Sequence, residues 1–129
     1  MSAAMILAVS SLSAAPASGQ QDGLTEAFSG CIDASGGVTF AMIECISAEY
    51  ERQDERLNQL YQTLMTSLDY ERRETLRAAQ RAWIEFRDAN CDFYFDPQGG
   101  TAARLAANSC IMSETAERAD ELVSFTNAY

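Results

Sequence analysis

Residues 79–91 read Ala79-Gln80-Arg81-Ala82-Trp83-Ile84-Glu85-Phe86-Arg87-Asp88-Ala89-Asn90-Cys91, and the periodicity of this stretch decides the fold. Extended by a few residues on each side, it places Leu76, Ala79, Trp83, Phe86, Ala89 and Phe93 at successive spacings of 3, 4, 3, 3 and 4, the recurrence of one helix face. Most other positions are charged or polar, so the segment predicts an amphipathic helix with the single tryptophan, Trp83, on its packed side. Asp69 is suited to cap its start, and Glu71 and Glu74 suit the positive end of its dipole. Asp96-Pro97-Gln98-Gly99-Gly100 stops it, which gives a helix from about Tyr70 to about Phe95. Asn90 falls beside the stripe, at the expected edge of the core.

Upstream, Met42, Ile43, Ile46, Tyr50, Leu57, Leu60, Tyr61, Leu64 and Leu68 follow Thr39 mostly at helical spacings, so a helix is expected from Thr39 as N-cap to about Leu68. Positions 43, 50, 57 and 64 share one heptad register, which would continue to Glu71 and Ala78, whereas the next stripe centres on Leu76 and Trp83. One unbroken helix would turn that stripe away from the core, so a turn is expected between Ser67 and Tyr70. Downstream, Thr101 is suited to cap a third helix that carries Leu105, Met112, Thr115, Ala119 and Leu122. No useful length alternates with the period of a strand. The expected architecture is all-α: an antiparallel three-helix bundle stapled by two disulfides, with Trp83 near its centre.

Cys31, Cys45, Cys91 and Cys110 make an even count in a small chain without histidine. This points to two disulfides in an oxidising compartment and away from a zinc site, because there is no C-x-x-C pair and no imidazole. Cys91 and Cys110 flank the Pro-Gln-Gly-Gly turn, where antiparallel helices bring them near each other, and Cys45 lies within reach of the segment around Cys31. The expected pairs are Cys31 with Cys45 and Cys91 with Cys110. Residues 1–17, with the apolar run Met5-Ile6-Leu7-Ala8-Val9 and the small-residue ending Ala15-Pro16-Ala17, read as a signal peptide cleaved after Ala17. Residues 18–38 contain five glycines and are expected to form an irregular N-terminal segment before a helical domain over 39–125. Phe28-Ser29-Gly30-Cys31 faintly resembles a lipid-attachment motif, but Asp22 and Glu26 interrupt the run before it.

Nineteen acidic residues against nine arginines give a net charge of −10, which disfavours nucleic acid and anionic membranes and favours a cationic partner. No run is long enough to span a membrane. With neither histidine nor lysine, the chain cannot assemble a Ser-His-Asp or Cys-His arrangement, a Schiff base or a Ser-Lys dyad. The carboxylate pairs Asp88/Asp92 and Glu117/Glu121 read more simply as solvated acidic faces. Neither an enzyme nor a cofactor or metal site is expected. Arg87, one turn after Trp83, is placed to lie over the indole and reach a neighbouring helix, and Gln80 and Arg118 are expected to tie helices together. Gly99 and Gly100 supply either backbone freedom in a connection or part of a protruding recognition loop from Asp96 to Thr101.

The block AQRAW-x-x-FRD-x-x-C at residues 79–91 stands in order with Cys45, Leu57-Asn58-x-x-Tyr61, Gly99-Gly100, Cys110 and Thr115-x-x-Arg118-Ala119-x-x-Leu122. In this it resembles the lysozyme inhibitor LprI-like N-terminal domain family of small exported bacterial proteins, from about Cys31 to Leu122. The resemblance implies a periplasmic or secreted helical domain, and the member that names the family is described as a lysozyme inhibitor. Gln80, Trp83, Phe86 and Arg118 would then form the structural core motif. Occlusion of a lysozyme cleft would fall to Arg87, Asp96, Gly99, Gly100 and Arg104. The alternative is a periplasmic interaction or scaffold domain that binds another envelope protein through an apolar or acidic helix face and inhibits nothing.

Overall fold

The computed structural model describes residues 23–128, so the expected signal peptide, 1–17, lies outside the described residues. Among the described residues four helices follow one another: α1 Glu26–Ala34, α2 Thr39–Ser67, α3 Tyr70–Phe93 and α4 Gly100–Ala128. No strand occurs among the described residues. The architecture is therefore four helices rather than three, because part of the segment expected to be irregular folds as α1. Thr25 caps that helix by accepting a hydrogen bond from the Phe28 N–H, and Glu26 lies in its first turn. Gly30 sits within it on an open side, where it costs only about 1 kcal/mol relative to alanine. Gly36 and Gly37, with φ of 60° and 77°, turn the chain into α2.

The α2–α3 junction falls where the register argument placed it: α2 ends at Ser67, and Asp69 caps α3 by accepting from the Arg72 N–H at 2.9 Å. The first residue of α2 is Thr39, and its N-cap is Val38. Chain direction reverses at each connection, so α2 and α4 run parallel and α3 returns the chain along the side of α4. The closest packing joins α2 to α4. Leu57 and Leu64 of α2 meet Ala119 and Leu122 of α4, and Leu76 of α3 completes the cluster. Ala103, Ala116 and Ala119 are buried on α4 and let its backbone approach α2 closely. Cys31–Cys45 staples α1 to α2 and Cys91–Cys110 staples α3 to α4, with Cα separations of 5.7 and 5.4 Å.

The face of α3 that packs differs from the stripe read in the sequence. Leu76, Gln80 and Cys91 are buried, with Trp83 and Arg87 half-buried on the same side. Phe86 and Phe93 point outward, 57% and 86% exposed, and Ala79 and Ala89 are exposed with them. Trp83 therefore lies at the margin of the core rather than its centre, and Phe86 is a surface residue. The cause is that α3 carries apolar residues on two neighbouring faces. A single line drawn through Leu76, Ala79, Trp83 and Phe86 merges them.

A buried carboxylate fastens the N-terminal turn. Glu49, fully buried on α2, accepts hydrogen bonds from the Thr25 N–H at 3.0 Å, the Thr25 hydroxyl at 2.6 Å, Gln53 Nε2 at 2.7 Å and Arg52 Nε at 2.9 Å. Gln53 also donates to the Gly23 carbonyl at 2.9 Å. Burial by itself raises the Glu49 pKa, but the hydrogen bonds from Thr25, Gln53 and Arg52 together outweigh it and hold the carboxyl below its ordinary value.

Two outcomes follow. A depressed carboxyl pKa contributes stability that is complete above the unfolded-state pKa, about 4.3 for glutamate, and is lost as pH falls through the lower folded value. The stability gap between wild type and Glu49→Gln, measured by urea unfolding of the oxidised protein, should be full at neutral pH and narrow in acid; a gap that stays constant would remove the ionised clasp. Leu122→Ala should cost about 2–5 kcal/mol, whereas Phe86→Ala should stay within about 0.5 kcal/mol. Comparable losses for the two would place Phe86 back in the core.

Candidate functional site

The end of the molecule where α3 passes into α4 gathers most of the polar residues singled out in the sequence. The connection is tight. Phe95 N–H donates to the Asp92 carbonyl and Gly99 N–H to the Asp96 carbonyl, each at 2.9 Å, and the Asp96 carboxylate accepts from Gln98 N–H at 2.8 Å. Gly100 opens α4 with φ of 60°, a conformation that other residues adopt only with strain. At Gly99 an added Cβ would come within 2.6 Å of the Ala103 Cβ, so both glycines are required by geometry. Cys91–Cys110 closes the base of the turn, and Asn90 Nδ2 reaches Glu114 Oε1 across it at 3.4 Å.

What projects from this end is aromatic. Phe93, Tyr94 and Phe95 are 86%, 50% and 47% exposed, with the Phe93 and Tyr94 rings edge to face at 6.2 Å. Phe93 was missed as a surface group because it closes the apolar stripe read in the sequence, and Tyr94 and Phe95 were assigned to no face. The available signal was their adjacency, since consecutive residues of a helix cannot all face one core. Beside Phe95 lies a shallow depression of about 270 Å³ lined by Asp88, Asp92, Ala107, Asn108 and Ile111. Asp96 lies within the turn, and Arg104, exposed on the first turns of α4, makes no ion pair among the described residues. The tip is thus aromatic and acidic, with one cation at its edge.

Arg87 is turned inward. Its guanidinium lies 5.0 Å from the Trp83 ring centroid, pairs with Asp88 at 2.9 Å and donates to the Thr115 hydroxyl at 3.3 Å, with the side chain 12% exposed. Arg118 approaches the same indole at 5.9 Å and the Phe125 ring at 5.8 Å. It also donates to Gln80 Oε1 at 3.1 Å and to Glu121 Oε2 at 2.6 Å. Gln80, Trp83, Arg87 and Arg118 therefore form one seam between α3 and α4, from which Phe86 is absent, while Asp96, Gly99, Gly100 and Arg104 cluster at the tip. Among the described residues no group of His, Cys, Asp and Glu is placed to hold a metal ion, and no helix is long and apolar enough to cross a membrane.

Two disulfides, an all-helical core and a rigid aromatic tip define a stapled helical domain with surfaces suited to binding. The chain belongs to the lysozyme inhibitor LprI family, whose sequence profile matches residues 31–122. It is also 27% identical over 92 residues to an uncharacterised protein of Rhizobium meliloti (strain 1021), an alignment that covers 60% of this chain and 66% of that protein. The match therefore spans slightly under two thirds of the relative. No solved structure matches.

Lysine at position 87 would keep the charge but lose the planar stack and the two-directional hydrogen bonding. Arg87→Lys should lower unfolding stability by about 1–2 kcal/mol. Wild-type stability in that variant would show that the seam does not depend on the guanidinium.

Proposed function

We propose that this protein is an exported inhibitor that binds a cationic muramidase of the lysozyme kind and blocks it by occlusion, without chemistry of its own. The observation that carries this reading is the exposed Phe93-Tyr94-Phe95 triplet on a turn held by the Cys91–Cys110 bridge. Large aromatic side chains on a pre-ordered support are the usual anchors of protein interfaces, and little entropy is lost in fixing them. Membership of the lysozyme inhibitor LprI family supports this partner class. The net charge of −10, with Asp88, Asp92 and Asp96 around the aromatics, favours encounter with a basic enzyme. A muramidase cleft presents two carboxylates, to which Arg104 and the N–H groups opening α4 are the matching donors. Arg87 acts in this reading by fixing α3 on α4, and Gly99 and Gly100 by shaping the turn. The two disulfides accord with a periplasmic or secreted location.

The test is lysozyme turnover on cell walls and on a small neutral oligosaccharide, with and without the purified oxidised protein. Both activities should fall. Phe95→Ala should weaken inhibition by about 10-fold or more, as loss of an interface anchor does, and Arg104→Ala should chiefly speed dissociation. Added salt should slow association more than it speeds dissociation. Binding that vanishes by about 0.3 M salt, beyond the range where exposed charges act, with oligosaccharide turnover unchanged, would reduce the interaction to non-specific attraction and overturn the reading.

A further inference from the structure

Away from the tip, α3 presents a second apolar surface. Ala79, Ala82, Phe86, Ala89 and Phe93 are all exposed and recur at spacings of 3, 4, 3 and 4. That is a strict heptad ridge, the pattern by which one helix receives another. It is a different face from that of Asp88 and Phe95, which border the depression beside the tip, and Asp92 stands at the edge between the two. At its N-terminal end the ridge runs into a cleft of about 220 Å³, lined by Ala79 itself with Leu64, Leu68, Leu76 and Phe125. The ridge thus ends in a socket open to an apolar side chain. Arg72 borders this cleft and already has a partner within the chain.

The charges beside the ridge say what covers it. Glu71, Glu85 and Asp92 are exposed, each stands directly before a heptad position of the ridge line (72, 86 and 93), and none is in an ion pair among the described residues. The opposite flank, with Leu76, Trp83 and Asn90, is turned toward α4 and the core. A second copy docked antiparallel about a two-fold axis would lay this acidic edge against its own, and like charges at flanking positions disfavour pairing. A parallel copy would need the flank that faces α4. We infer that the outer face of α3, from the cleft at Leu68 to Phe93, docks a basic amphipathic helix of another protein. The partner's apolar stripe lies on Ala79, Ala82, Phe86 and Ala89, and its lysines or arginines face Glu71, Glu85 and Asp92.

The experiment uses the full oxidised chain, isotope-labelled for NMR, and a synthetic three-heptad helix with leucine at the core positions and lysine at the flanks. Amide shifts should change along Ala79, Ala82, Phe86, Ala89 and Phe93 and at the cleft. Phe86→Glu and, independently, Ala82→Glu should each weaken binding at least 10-fold, and replacing the peptide's lysines by glutamates should do the same. Phe95→Ala should leave peptide affinity unchanged, and Phe86→Glu should leave lysozyme inhibition unchanged, so failure here is separable from failure of the inhibitor reading. The inference is overturned by no binding, by shifts confined to residues 94–100 or to the polar face of α2, or by Phe86→Glu and Ala82→Glu chains that bind the peptide as tightly as the wild type. A dimer in sedimentation that Phe86→Glu dissolves would equally overturn it, since the occupant would then be a second copy.

Discussion

The close parallel contact of α2 with α4 is the constraint on which the rest of the molecule depends. It exists because α4 offers alanine at positions 103, 116 and 119, where two long helices cross most of each other's length, with Leu57 and Leu64 meeting Leu122 at its centre. Parallel helices cannot be joined by a tight turn, so a third segment must return the chain, and α3 has that task. It is also placed at the side, resting on α4 more than on α2. Each disulfide then fixes a peripheral helix to one of the central pair, α1 to α2 and α3 to α4, across sequence separations of 14 and 19. Loops of that size are worth about 3 kcal/mol in the chain-entropy model. The bridges thus reinforce the helices that contribute least to the core.

The side position of α3 explains its unusual chemistry. Its inner line carries Gln80, Trp83, Arg87 and Asn90, so it is held by oriented polar groups around one indole rather than by an apolar stripe. Trp83 lies beside two guanidinium groups, and each guanidinium also reaches an oxygen acceptor on the other helix of the seam. Such a seam fixes the rotation of α3 about its own axis more tightly than interchangeable leucines would. With rotation fixed, Phe86 and Phe93 face outward by design of the inner line.

These features set what could be read from the sequence. The heptad phase shift between Leu64 and Leu76 located the α2–α3 turn, because continuing the register would have turned Trp83 out of the core. Cysteines on either side of a Pro-Gly turn can meet only across antiparallel helices, which made the Cys91–Cys110 pair legible. The helix α1 was not, since the five glycines of residues 18–38 masked a nine-residue element that depends on Thr25, Glu49 and a disulfide for support. The α3 phase was misread for a related reason. Arg87 was expected over the indole and Gln80 between helices, but hydropathy gives such polar groups no weight, so the line drawn through apolar residues alone ran through the exposed Phe86. The tip was located by its glycines, but its aromatic character emerged only from exposure.

Charge is not spread evenly along α3, and this bears on how its surfaces work together. Arg72, Arg73, Arg77 and Arg81 outnumber Glu71 and Glu74 in its first half, whereas Glu85, Asp88 and Asp92 outnumber Arg87 in its second, with Asp96 following in the turn. Screening confines the influence of exposed charges to about 8 Å at physiological ionic strength, so a basic partner responds to this local pattern more than to the overall −10. The pattern favours encounter at the C-terminal end of α3, where the aromatic anchors also lie. Phe93 belongs both to the tip and to the end of the ridge. A protein large enough to cover the tip would cover Phe93 too and remove the last apolar position from a helix docked on the ridge. Occupants of the two surfaces would therefore weaken each other by the same factor in both directions, as linkage requires.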